Sequence, residues 1–367
     1  MKKVLILTAN FGAGHNAVSK AIQKHLVEHN CPYNITITDF VEASIPEMNE
    51  PMVKCYEYQT KHLPIVYNTY YYAKKYIKSK YDKSYHIYLE NLEKYLREEN
   101  PDLIISTFPH ASACVSRIKE SGTFNKKLVT VITDVVVSHE WIHDNTDLYF
   151  APAQYVKDKL INKKIPEDKI KVTGVPVDKN FIEDKPKEFD DKIKLLFMGG
   201  GRGLFDMSDS FFYWLDSFIS KNSDSIEASI ITGSNKELYN KFSDTKPLKN
   251  IAVHGFINDM PSKLKEHNLL VTKAGGATLF ESINSGLPVV VKKPDIGQEI
   301  ANAKFINREK IGFVYSKERE LKKIIKRITT KDDYTKKLVN LSSNIENLKT
   351  QLEFGNIHNY IQEIINN

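Results

Sequence analysis

The chain has 367 residues, 41% of them hydrophobic, which is enough apolar material for two cored domains. Its 52 lysines and arginines against 46 acids leave a net charge of +6, a mild excess that does not call for a nucleic-acid partner. The three cysteines, Cys31, Cys55 and Cys114, are scattered with no C-x-x-C pair; this argues against a disulfide framework or a thiolate zinc site and fits a reducing cytosol.

Val4-Leu5-Ile6-Leu7 reads as a first buried strand. Met1-Lys2-Lys3 before it imitates a signal peptide, but the apolar run is too short for one and Gly12 and Gly14 follow at once. Residues 10–15 are expected to be a glycine-containing loop and residues 17–27 a helix burying Ala17, Ala21, Ile22 and Leu26. Residues 35–37, 103–106 and 128–132 read as further short strands. The alternation predicts a parallel sheet with helices on both faces. Gly174-Val175-Pro176-Val177 closes this first domain, residues 1–182. Residues 183–192, charged, interrupted by Pro186 and without periodicity, read as a linker. Strands at 193–198, 229–232, 251–254, 269–272 and 289–292 repeat the α/β plan across a second domain, 193–345. A last helical segment, 346–367, is expected to pack back on the first domain. Two Rossmann-like domains of this kind place ligands at the carboxyl ends of their strands, in a cleft. No apolar run approaches the roughly 20 residues needed to span a bilayer, so a cytoplasmic protein, at most peripheral on a membrane, is expected.

The richest stretch follows the strand at 269–272. Gly275-Gly276 allow a tight turn, a helix is expected to begin near Thr278, and Glu281 falls in its first turn. Free N–H groups at a helix start, backed by the dipole, bind anions. A carboxylate nearby accepts hydrogen bonds from a diol such as a ribose. Together they suit a nucleoside diphosphate. Gly199, Gly200 and Gly201, after the strand at 193–198, permit close backbone approach to phosphate, and Arg202 adds charge; the plain alternative is a flexible turn. Gln298, Glu299 and Asn302 form a polar cluster suited to sugar hydroxyls, or an ordinary helix N-terminus. In the first half, Gly12 and Gly14 turn the chain before His15, whose imidazole titrates near neutrality and can serve as a general base. Asp134 ends a strand where it can orient a base, and His139 and Trp141 follow on a loop, where they are expected at the membrane or acceptor; a capping Asp and a packing Trp are the alternatives. No Asp-x-Asp occurs, so nothing calls for a divalent ion on the diphosphate, and neither metal nor cofactor is expected.

Residues 61–85 carry seven tyrosines and six lysines against one acid, Asp82. Tyr70, Tyr71, Tyr72, Lys74, Lys75 and Lys78 lie at the centre of this stretch. Tyrosine favours apolar–water boundaries and lysine attracts anionic headgroups, so the segment points to an anionic membrane surface rather than a merely solvated helix pair.

With these motifs in order, the chain resembles the monogalactosyldiacylglycerol synthase and processive diacylglycerol β-glycosyltransferase family, relatives of the N-acetylglucosaminyltransferase that makes lipid II. The resemblance rests on Gly12-Ala13-Gly14-His15, Thr133-Asp134 with His139 and Trp141, Gly199-Gly200-Gly201, Lys273-Ala274-Gly275-Gly276-Ala277-Thr278 with Glu281, and Gly297-Gln298-Glu299 with Asn302. Ile296 stands where such relatives often have proline. The resemblance implies a GT-B fold, with the acceptor lipid and membrane at the first domain and the donor, UDP-glucose or UDP-galactose, in the second. It implies inverting transfer of the hexose to diacylglycerol, with His15 as base, Glu281 on the ribose and Gln298 and Glu299 on the sugar. A transferase with another lipid or small-molecule acceptor, a non-hydrolysing UDP-sugar epimerase, and a UDP-sugar sensor without turnover remain open on the residues alone.

Overall fold

The computed structural model describes the chain apart from residues 12, 63–85, 123, 184–186, 188, 190, 191, 296, 331 and 367. The tyrosine- and lysine-rich centre, Tyr70 to Lys78, and Ile296 therefore lie outside the described residues. Two units emerge: Met1–Lys179 with Asp295–Gln298 and Gln351–Asn367, and Asn180–Pro294 with Glu299–Thr350.

In the first unit six strands pair in parallel: β1 (Lys2–Thr8), β2 (Tyr33–Asp39), β3 (Leu103–Ser106), β4 (Lys127–Val131), β5 (Leu148–Ala151) and β6 (Ile170–Val172), in the order β2-β1-β3-β4-β5-β6. Every residue of β3 and β5 is buried, as expected of a parallel sheet covered on both faces. Helix Ala13–Glu28 starts earlier than its periodicity predicts. It buries Val18, Ala21, Ile22 and Leu26, whereas Ala17 is exposed; one residue is 100° of helix, so the stripe is carried by Val18 instead.

The last helix, Ile357–Asn366, buries Ile357, Ile361 and Ile365, the four-residue spacing of one helical face. That face packs on helix Ala13–Glu28. Glu353 N donates to Val172 O at 2.8 Å, which ties the segment to β6. The preceding helix, Asp332–Lys349, belongs to the second unit, so the returning segment begins at Gln351 rather than at 346.

The second unit holds β7 (Ile193–Met198), β8 (Ile226–Ile231), β9 (Ala252–His254), β10 (Leu269–Thr272), β11 (Val289–Lys292) and β12 (Gly312–Tyr315), all parallel, in the order β12-β11-β10-β7-β8-β9. This is the doubly wound Rossmann order. Leu195, Phe197, Phe211, Phe212 and Phe242 form the centre of its core. The described part of the expected linker is docked on this unit. Glu183 N donates to Asn284 O at 2.9 Å, and the ammonium of Lys187 to the Lys265 carbonyl.

Each sheet has one place where the winding reverses: between β1 and β3 in the first unit, between β7 and β10 in the second. Val4 pairs with Leu103 and Leu7 with Ser106; Leu269 pairs with Leu195 and Val271 with Phe197. At both places the carboxyl ends of two adjacent strands open side by side, where ligands of doubly wound sheets bind.

Candidate functional site

In the first unit the reversal point is occupied by His15, the third residue of helix Ala13–Glu28. Its Nδ1 lies 2.7 Å from the carbonyl of Thr107, just past β3, and 3.4 Å from Thr133 Oγ1, just past β4. A carbonyl only accepts, so Nδ1 carries the proton and Nε2 keeps the lone pair. No hydrogen bond engages Nε2 among the described residues. The Phe108 ring meets the imidazole edge-on, with centroids 5.4 Å apart. Burial pushes the His15 pKa below its ordinary value, opposed by the charge of Asp134 and by the Thr107 hydrogen bond. The ring is thus held neutral, in one tautomer, beside an acid that favours its protonated form.

The loop that presents it is fixed by side chains. Thr8 Oγ1 donates to Asn16 Oδ1 at 2.9 Å, Asn16 Nδ2 to Asn10 Oδ1 at 2.7 Å, and Asn10 N to Asp39 Oδ2 at 2.7 Å. Asp39 also caps the next helix through Val41 N and Glu42 N. Neither Thr107 nor this network was visible as a site in the sequence. The available signal was that two hydroxyl residues, Ser106 and Thr107, end a buried strand.

In the second unit two glycine loops sit side by side. The helix after β10 spans Gly276–Asn284, with Gly275 as its N-cap and no side-chain cap. A cap without a side chain leaves first-turn N–H groups available. The helix begins two residues earlier than predicted, so Glu281 stands in its second turn. Burial alone pushes the Glu281 pKa up to about 7. Among the described residues no group hydrogen-bonds its carboxylate. A half-buried carboxylate without a donor is a group able to accept from one that arrives.

The loop after β7 is wedged against its neighbour. A Cβ on Gly203, at φ +59°, would stand 1.8 Å from Thr232 O; one on Gly201 would meet nothing within 4 Å. Ser234 N donates to Gly201 O at 2.9 Å. Gly203 thus meets both a steric and a conformational demand, Gly200 at φ +71° a conformational one, and Gly199 a steric one against Leu204 N; Gly201 meets nothing within 4 Å and Arg202 is exposed.

The remaining candidates divide. Asn302 is wholly buried, and its amide donates to Ala274 O at 2.8 Å, so it fastens the turn before helix Gly276–Asn284. Gln298 and Glu299 are half-buried in the first turn of helix Gly297–Glu309. His139 is exposed on a short 3-10 turn, His139–Trp141. Trp141, expected at the membrane or acceptor, is instead 4% exposed. It packs with its turn on helix Pro109–Glu120, because an indole at the sheet edge gains more from burial than from the loop surface.

Two parallel Rossmann-like units, with a histidine at one reversal point and an uncapped helix start at the other, define the GT-B class of glycosyltransferase folds. MurG of Acinetobacter baumannii shares the fold at a TM-score of 0.62, with 12% identity over 100% of this chain and 99% of that one. UDP-GlcNAc 2-epimerase from Neisseria meningitidis shares it at 0.57, with 16% identity over 99% of each chain. Residues 15–177 match the family described as monogalactosyldiacylglycerol (MGDG) synthase, and residues 206–354 the glycosyltransferase family 28 C-terminal domain. The processive diacylglycerol beta-glucosyltransferase of Staphylococcus epidermidis is 30% identical over 350 residues, 91% of this chain and 86% of that protein. The chain belongs to this diacylglycerol glycosyltransferase family.

The glycine geometry makes a stability prediction. Gly203→Ala forces a side chain into a backbone carbonyl at positive φ and is expected to destabilise the protein by roughly 1–3 kcal/mol or more. Gly201→Ala is expected to stay within about 0.5 kcal/mol of wild type. Urea unfolding of both variants checks this; equal midpoints would show that the loop can give way.

Proposed function

We propose that this protein transfers a hexose from a UDP-sugar to the free hydroxyl of diacylglycerol with inversion at the anomeric carbon. The observation that carries the reading is the fixed tautomer of His15. Nε2 of His15 takes the proton of the lipid hydroxyl, the oxygen bonds to the anomeric carbon, and the bond from that carbon to the diphosphate breaks in one in-line step. The charge of Asp134 favours the imidazolium as it forms. The departing UDP carries new negative charge, which the uncapped helix start at Gly276, Ala277 and Thr278 and the Gly200–Gly201 backbone are suited to stabilise. Glu281 accepts from the ribose hydroxyls, and Gln298 and Glu299 serve the sugar. The absence of Asp-x-Asp supports transfer without a divalent ion on the diphosphate. The relatives' names make glucose the first donor to test and galactose the second.

Diacylglycerol has no appreciable soluble pool, so the enzyme must work at a bilayer. No helix among the described residues is long and apolar enough to cross a membrane. The lysines and tyrosines of residues 61–85 support peripheral attachment to an anionic surface, with the reaction at the inner face of the cell membrane. The direct test is incubation with diacylglycerol vesicles and UDP-glucose or UDP-galactose, with lipid mass spectrometry. A glycosyldiacylglycerol is expected, formed faster on anionic vesicles and slower in high salt. Conversion of a UDP-sugar to its epimer with no lipid product would replace this reading with the epimerase one.

His15→Ala is expected to keep UDP affinity and lower turnover about 10²–10⁴-fold. A folded variant with near-normal turnover would remove His15 from the base role.

Glu281 gives the reaction a pH signature. Free, its pKa is about 7; donors from a bound ribose favour the ionised form and lower that value, so binding expels a proton near neutrality. UDP affinity is therefore expected to rise with pH through about 7 and to level off above it. In Glu281→Gln the rise should vanish. Calorimetry across pH decides it: a slope that persists in the variant belongs to another group.

A further inference from the structure

On the opposite end of the helix that carries His15, three histidines converge. His25 stands in the last turn of helix Ala13–Glu28, His29 lies just past its end, and His358 comes from helix Ile357–Asn366. One potential ligand nitrogen from each can be chosen so that all three lie within 4.8 Å of one another. We propose that His25, His29 and His358 bind a divalent transition-metal ion, zinc in the first instance, which staples the C-terminal segment to the helix presenting His15.

The geometry is close to what such an ion requires. Zn–N bonds of about 2.0–2.1 Å in a tetrahedron put ligand nitrogens roughly 3.3 Å apart. His25 Nε2 and His358 Nδ1 are 3.2 Å apart. His29 closes on them by a side-chain rotation of its stacked ring, whose centroid lies 3.8 Å from that of His358. His29 Nδ1 donates to the His25 carbonyl at 2.8 Å, which leaves its Nε2 with the lone pair. A ring N–H tied to a backbone carbonyl is also the usual support of a metal-bound imidazole.

The donor set defines the metal class. Neutral imidazoles suit zinc, copper and nickel and do not suit magnesium or calcium, which take oxygen. Burial is graded from buried His25 through half-buried His358 to exposed His29. The Phe354 ring lies 5.4 Å from that of His25. The solvent side is left for water as a fourth ligand. The proposal is independent of the transfer reaction, since none of the three residues belongs to the machinery assigned above.

The test uses the full chain, freed of metal by a chelator and titrated with zinc chloride in a calorimeter. One equivalent is expected to bind, with a rise in melting temperature that the chelator reverses. Cobalt(II) in its place should give the intense visible absorption of a four-coordinate ion. His358→Ala should weaken zinc binding by at least about 100-fold, since loss of a ligand exceeds the 10–100-fold cost of losing a ligand's support. It should also abolish the melting shift and the cobalt spectrum. His29→Ala, at an exposed position, serves as the second variant, with circular dichroism confirming its fold. Zinc binding of equal strength in wild type and His29→Ala, or a wild-type melting temperature indifferent to zinc and chelator, would overturn the site.

Discussion

The parallel pairing of β1 with β3 and of β7 with β10 governs what this molecule can do. In each pair the chain leaves neighbouring strands in opposite winding directions. The loops beyond them therefore diverge, and backbone groups at the strand ends are left without sheet partners. Thr107 is usable as a hydrogen-bond acceptor for His15 only because β3 stops at Ser106, in register with Leu7 of β1. The uncapped helix start at Gly275 lies beside the Gly199 loop for the same reason, since β10 and β7 run level. Shifting either pair by one residue would turn buried valines and leucines to the wrong face of the sheet, so the core that holds the sheets also fixes the chemistry at their ends.

Much of this was legible in the sequence. The strands at 103–106, 193–198, 269–272 and 289–292 are mostly apolar runs, and the structure places them at those bounds. β5, β6 and β12, of four, three and four residues, escaped the sequence reading. The helix carrying Glu281 was placed two residues late because Gly276 and Ala277 show no periodicity, although they are helical. What a sequence cannot display is who meets whom. The partners of His15 lie 92 and 118 positions away. Trp141 looked like a surface aromatic because it follows polar residues, whereas its burial depends on a helix some twenty to thirty residues earlier.

The fold alone would have left the activity undecided. A UDP-GlcNAc 2-epimerase and MurG resemble this chain in architecture to nearly the same degree, and fold similarity of this kind does not carry function. Discrimination comes from particular side chains on that frame and from a sequence relative that matches 91% of its length. Asn302 illustrates how such residues divide their work: a polar side chain in the expected cluster donates to the Ala274 carbonyl, shaping the turn that precedes helix Gly276–Asn284.

The return of residues 351–367 to the first unit has a consequence for how the chain is made. Ribosomal synthesis delivers helix Ala13–Glu28 more than 300 residues before helix Ile357–Asn366, which packs on it. The second unit, Asn180–Pro294 with Glu299–Thr350, is complete in sequence before that helix exists. It can fold during translation, as domains generally do. The first unit is different: helix Ala13–Glu28 can meet β1 and β2 early, but lacks one packing partner until Ile357, Ile361 and Ile365 are made. The nascent protein thus spends most of its synthesis with the helix that bears His15 only partly packed, and residues 351–367 complete the unit.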